Sequence, residues 1–352
     1  MASGLAVMVD GEFDAELSGA SRFEVYERMG APTRFALRWP LVSSEGDLPL
    51  ATDTRIAPGA NLSLHYQESD GVHVLVKGPV TGHTLHLDHG GADAWIEAVG
   101  SDTSIEMDRE IRSQVWADGT DADAVSAICG HHGLTGDIEA TDGVHATDKH
   151  ALVQRDSDLR FVQRLARRNG FLFWVTHDPT GAGTAHFKPP PLDATAPGRL
   201  VINQTPPTIH TFDLRFDVER PTGIDGSQLD LNTKAVIEAS SATSPLALLG
   251  ARDLLSITGD TRTVHVSAPV DDAGDLGARA AATLIDAGWF VHASCETNRA
   301  AFGGVLRAHS VVEVLGAGRR HSGRYFVAAV RHMVDSTIHK MAAELVRNAW
   351  EA

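Results

Sequence analysis

Cysteine is nearly missing from this 352-residue chain: Cys129 and Cys295 are its only two, far apart and in no metal-ligand spacing. A disulfide framework and a zinc ribbon are thereby excluded, and two buried thiols are expected. Aromatic residues are sparse at 6%, and six scattered tryptophans do not supply the exposed cluster that a carbohydrate-binding module needs. Basic charge is also short. Against 46 Asp and Glu stand 30 Lys and Arg, a formal net charge of -16, which disfavours a surface built to neutralise nucleic-acid phosphates as specific ligands. No run reaches the roughly 18 apolar residues of a membrane-spanning helix. The start, Met1 to Asp10, has one short apolar run with no basic segment before it, unlike a secretory signal. A chain made in the cytoplasm, without direct membrane insertion, is expected. Missing too are a glycine-flanked nucleophilic serine, a phosphate loop, a paired-glycine dinucleotide motif and any nominated carboxylate pair of a cell-wall hydrolase. The expectation is no enzyme, no cofactor and no metal.

What is present is ordinary globular composition, 43% hydrophobic and 22% charged, in a length that calls for two or more compact units. From Phe35 to Val99 short alternating runs dominate: Phe35, Leu37 and Trp39; Leu62, Leu64 and Tyr66; Val72, Val74 and Val76; Leu85 and Leu87. Period two means half-buried strands, and Ser44-Glu45-Gly46-Asp47, Ala57-Pro58-Gly59 and Ser69-Asp70-Gly71 supply turns between them. The pattern then becomes helical. Thr120 and Asp123 form a capping-box signature before Ala124, Val125, Ile128 and Cys129. Asp156 or Ser157 can cap a second helix with Leu159, Phe161, Val162, Leu165 and Ala166 on its apolar face, and Asn169-Gly170 can supply a left-handed exit. Phe171 to Val175 follows as a buried strand. Pro189 to Pro191, Pro206 and Pro207 punctuate a linker, after which Phe212, Leu214, Phe216 and Val218 alternate, as do Val264 with Val266 and the runs around Val311 and Val327.

The fold class expected is α+β, mainly β: two barrel-like domains flanking an α/β insertion. The boundaries are 1–30 for an amino-terminal arm, 31–104 for the first barrel, 105–190 for the insertion, and 191–352 for the second barrel, with a helix near 274–287.

Histidine is plentiful, 18 in all, so a metal site is tested against the spacing. His83, His86 and His89 would share a face only on a helix, whereas the alternation of Leu85 and Leu87 makes a strand that puts His86 opposite the other two. His131 and His132 follow a helix end, where they can serve its terminal carbonyls and dipole; His145 and His150 complete that cluster. Gly316-Ala317-Gly318 sits between strands and fits a hairpin turn. Arg155 to Arg168 is a basic helix in an acidic chain, read as a solvated face with carboxylate partners and alternatively as a docking face for an acidic neighbour.

Three segments carry a resemblance. Val76-Lys77-Gly78-Pro79-Val80-Thr81 is followed by a strand through Trp95 to Val99 and a helix reaching Gly133-Leu134. Gln154-Arg155-Asp156 leads into Arg164-Leu165-Ala166 and Gly170. Val311 to Gly318 precedes Ser322-Gly323-Arg324-Tyr325 and Val330-Arg331-His332. In this order the segments resemble the phage late control protein D family and the gp27-like, VgrG amino-terminal hub region of contractile injection systems. The resemblance implies a non-enzymatic homotrimeric baseplate hub in a phage tail-like particle. It would join a hexameric inner tube ring to a trimeric spike, contact other baseplate proteins and pass a cargo or tape-measure protein through its lumen. The two barrels become tube domains, and the interface candidates are Val76, Gly78, Val80, Arg164, Arg168, Gly316, Gly318, Tyr325, Arg331 and His332. Alternatives are the hub of an intact contractile phage baseplate, a tail-associated cell-wall hydrolase and a carbohydrate-binding module.

Overall fold

Alternation of apolar and polar residues turns into strand pairing along most of the chain. A computed structural model describes residues 4–41, 48–89, 93–116, 118–147, 151–229, 234–267 and 273–351; the expected turn at Ser44 to Asp47 and His150 lie outside them. The first seven strands are β1 (Leu5–Val9), β2 (Glu12–Asp14), β3 (Arg22–Arg28), β4 (Arg34–Pro40), β5 (Asn61–Glu68), β6 (Gly71–His86) and β7 (Trp95–Ser101). Phe23 and Val25 of β3, and Phe35, Leu37 and Trp39 of β4, are buried on one face, as period two requires.

Next comes the insertion: β8 (Gln114–Trp116), β9 (Gly119–Thr120), α1 (Asp121–His131), β10 (Thr135–Ile138), β11 (Val144–His145), β12 (Leu152–Gln154), α2 (Asp158–Asn169), β13 (Leu172–His177) and β14 (Gly183–Lys188). Its caps are chemical. Thr120 and Asp123 close a reciprocal box on α1, Ser157 accepts from the Arg160 N–H at the start of α2, and Gly170 ends that helix at φ 70°. Both helices pack Val125, Ile128, Phe161, Val162 and Leu165 against Phe173 and Phe187 in a core of their own.

The remainder holds β15 (Thr195–Val201), β16 (Phe212–Phe216), β17 (Gly223–Leu229), β18 (Val236–Ser241), α3 (Leu254–Thr258), β19 (Thr263–Val266), α4 (Ala273–Gly288), β20 (Val291–Asn298), α5 (Arg299–Phe302), β21 (Val311–Leu315), β22 (Gly323–Val334) and β23 (His339–Arg347). Thirteen strands form one sheet. Its path runs β16, β20, β23, β22, β3, β4, β7, β6, β5, β1, β2, with β21 on β22 and β15 on β21, over a continuous apolar core from Leu5 to Leu345.

The path holds one unit twice. In chain order β1, β3, β4, β5, β6 and β7 correspond to β15, β16, β20, β21, β22 and β23, and the spatial order is the same in both sets. In each, the long fifth strand pairs with the fourth, then bends at a bulge on the sixth: between Val80 and Gly82 in β6, between Val327 and Ala329 in β22. One pairing differs, since β1 lies antiparallel to β5 but β15 lies parallel to β21. The units meet where β22 pairs with β3.

Two expectations change here. Residues 1–30, expected as an arm, contribute β1 and β2 at one end of the sheet and β3 in its middle, because Phe23, Val25 and Glu27 all face the core. Val264 and Val266 do not join the main sheet; β19 flanks β17 in a separate sheet with β18, covered by α4.

Candidate functional site

The inward parity of β3 carries a carboxylate into the core: Glu27 is 5% exposed. Its partner is Arg307, 280 residues on, whose Nε donates to Oε1 at 2.6 Å, while the Ala308 N–H donates to Oε2 at 2.9 Å. Arg307 also donates to the carbonyls of Val74 and Leu75, each at 3.0 Å. One guanidinium therefore ties β3 and β6 of the first unit to the second. Burial pushes the Glu27 carboxyl up, but the Arg307 charge and His332 outweigh it and hold it well below the usual range. His332 is fully buried, with Nε2 3.8 Å from Glu27 and Nδ1 3.1 Å from His339 Nε2. Burial, reinforced by His332, pushes His339 down to about 3.

The insertion docks through Trp174 of β13. Its ring stacks between His309, with centroids 4.4 Å apart, and His186 at 4.6 Å. His186 Nδ1 lies 2.7 Å from Asp137, to which Lys188 also donates at 2.6 Å. Lys77 of β6 reaches across to the Gly181 carbonyl at 2.8 Å. A cleft of about 420 Å³ lies at this junction, with His73, Lys77, Asp102, His177, Arg307 and His309 in its wall. Burial lowers His177 and His309 to about 4 each and raises Asp102 to about 6, against the hydrogen bonds that Ser104 and Thr33 give its carboxylate.

A larger groove, about 1150 Å³, crosses the face of the sheet opposite the core. Small residues floor it, among them Ala36, Gly100, Ala329 and Ala342. Its charges are four carboxylates, Glu24, Asp213, Glu296 and Glu344, against two guanidiniums, Arg34 and Arg331. Arg331 is bound to Glu24 at 2.5 Å.

The residues singled out from sequence fall into two groups. Val76, Val80, Tyr325 and His332 are buried within the chain; the Tyr325 hydroxyl donates to the His321 carbonyl at 2.7 Å. At Gly78 a Cβ would stand 2.0 Å from the Ser101 carbonyl oxygen, so glycine lets the backbones of β6 and the β7 end touch. Gly316 and Gly318 have φ of 81° and 82° in the β21–β22 hairpin turn, and Gly316 lies against the Ile202 carbonyl. Arg168 is half-buried against Asp121, 2.8 Å from His145 Nε2. These eight hold the fold, because turn glycines and inward strand residues are what strand motifs consist of. Arg164, paired with Asp156, and Arg331 remain on the surface.

The histidines also find structural partners. His83 Nε2 lies 2.5 Å from the Ile56 carbonyl oxygen and His86 stacks on Trp95. His131 lies beside Arg112, and His132, instead of serving helix carbonyls, lies 2.8 Å from Asp158, the buried carboxylate that opens α2. Among the described residues no group of three or more His, Cys, Asp or Glu is placed to hold a metal ion. Sequence reasoning passed over Glu27 and Arg307; the available signal was a glutamate at an inward position of an alternating strand.

The model of the Alg8 N-terminal domain family matches residues 42–336. No curated protein matches the chain. Among solved structures, the 43 kDa tail protein of prophage MuSo2 from Shewanella oneidensis aligns over 99% of this chain and 100% of its own, with TM-score 0.70 and 13% identity. The tail protein from Neisseria meningitidis MC58 aligns over 99% and 97%, at 0.62 and 14%. The E. coli c3393 protein aligns over 98% and 79%, at 0.59 and 10%; it is described as a type VI secretion component similar in structure to the T4 bacteriophage tail proteins gp27 and gp5. The fold is thus that of gp27-like tail proteins, mainly β.

Proposed function

This chain belongs to the Alg8 N-terminal domain family, and we propose that it is the structural hub of a contractile tail-like particle or phage baseplate, close to the late control protein D hubs its motifs resemble. Three copies set six related units around an axis, meeting a hexameric inner tube ring on one side and a trimeric spike on the other. The doubled unit carries this reading: a chain that repeats one strand order side by side in a single sheet converts threefold into near-sixfold symmetry without a second gene product. In this reading 31–104, completed by β1 and β3, and 191–352 supply the tube domains, with 105–190 inserted between them. The acidic groove lines the bore, where an excess of carboxylates keeps an acidic cargo or tape-measure protein from sticking. Nothing in this role needs a catalytic step.

The test is native mass spectrometry of the chain co-expressed with a tube protein and a spike protein of a contractile particle. A complex with three copies is expected. A monomer indifferent to both partners would instead make it a free-standing β-rich binding protein.

A further inference from the structure

The doubled unit also says where one copy joins the next, an inference that rests on the hub reading. Inside the chain the second unit meets the first through β22 on β3, with Arg331 opposite Tyr26, His332 opposite Val25 and Val334 opposite Phe23. The matched bulges make Val327 equivalent to Val80 and Ala329 to Gly82, so His332 corresponds to Leu85 and Val334 to Leu87. Following the ladders outward makes Val25 equivalent to Leu214, Phe23 to Phe212 and Glu27 to Phe216.

These counterparts differ in burial. At the internal joint His332 is 0% and Val334 1% exposed, whereas Leu85 and Leu87 are 45% and 57% exposed; Glu27 is 5% exposed and Phe216 48%. Beyond Val80, β6 pairs with β7 alone, because its ladder with β5 ends at Pro79, and β16 pairs with β20 alone among the described strands. Each chain thus carries both halves of the joint, one at each end of the run, open.

We propose that β6 of one copy pairs antiparallel with β16 of the next in the register of the internal joint. Leu85 then faces Leu214, His86 faces Asp213 and Leu87 faces Phe212. Exposed apolar residues are covered, an imidazole meets a carboxylate, and the free backbone edges gain a ladder. The contact is head-to-tail, so it closes a ring or propagates.

The test joins Leu85→Cys and Leu214→Cys in one full-length chain under mild oxidation. Within a chain these positions are seven strand spacings apart, about 34 Å along the sheet, so a disulfide must link two copies. Covalent species ending at the trimer are expected, with little cross-linking for Leu85→Cys paired with Phe216→Cys. Preference for the shifted pair overturns the register. A trimer by native mass spectrometry with neither bond overturns the joint and leaves the hub reading standing; a monomer overturns both.

Discussion

At Glu27 the core holds a charge satisfied by Arg307, far along the chain, with His332 beside it. Replacing Glu27 with alanine leaves the Arg307 guanidinium without its carboxylate and the Ala308 N–H without its acceptor, and breaking a buried ion pair in this way costs about 3–5 kcal/mol. Urea denaturation of Glu27→Ala should show that loss; a change below about 1 kcal/mol, the worth of a surface pair, would contradict the geometry. Protonation tests the same region. Burial holds His177 and His309 near 4 and His339 near 3, below the ordinary 6.5. The unfolded chain therefore takes up protons first, and the stability present above pH 6.5 is lost as pH falls through the window from 6.5 toward 4. Asp102, raised to about 6, acts in the opposite sense, losing stability as pH rises through that value. Three histidines outweigh one carboxyl, so the melting temperature should be lower at about pH 5 than at about pH 7.5; an equal or higher value would refute the balance. The sequence displays Glu27 at an inward position, but nothing local names Arg307, since the partner is chosen by sheet pairing between the chain's two halves.

Elements differ in how far their chemistry is local. The caps of α1 and α2 were readable because Thr120, Asp123, Ser157 and Gly170 act within four residues of the helix ends they serve. Strands were readable as strands, yet their partners were not: Val264 and Val266 alternate as well as Val72 and Val74 do, and only tertiary pairing sends β19 to the small sheet. Docking of the insertion is likewise non-local, with Trp174 of β13 held between His186 of β14 and His309 of the second unit. Trp174→Ala removes the ring that bridges them. Hydrogen exchange should then quicken in β13 and β14 while β3, β22 and β23 keep their protection; uniform loss across the sheet would mean that Trp174 supports the whole fold instead of one contact.

For the whole molecule, the repeat is a repeat of strand order and burial parity and not of residue identity. Leu85 stands where the second unit has His332, and Phe216 where the first has Glu27, so self-comparison of the sequence finds too little to align. The net charge is legible at once, but its placement is not. Four groove carboxylates come from β3, β16, β20 and β23, and only the folded sheet brings them together. If this groove lines the bore, its field acts on a passing chain over roughly 8 Å at physiological salt. Glu296→Gln with Glu344→Gln removes two of the four charges from partly or fully exposed positions, where stability should change by no more than about 0.5 kcal/mol. Particles assembled with this variant should retain an acidic cargo longer than the parent, and the difference should fade as salt is raised. Equal retention at low salt would place the groove away from the channel and leave its acidity to solubility alone.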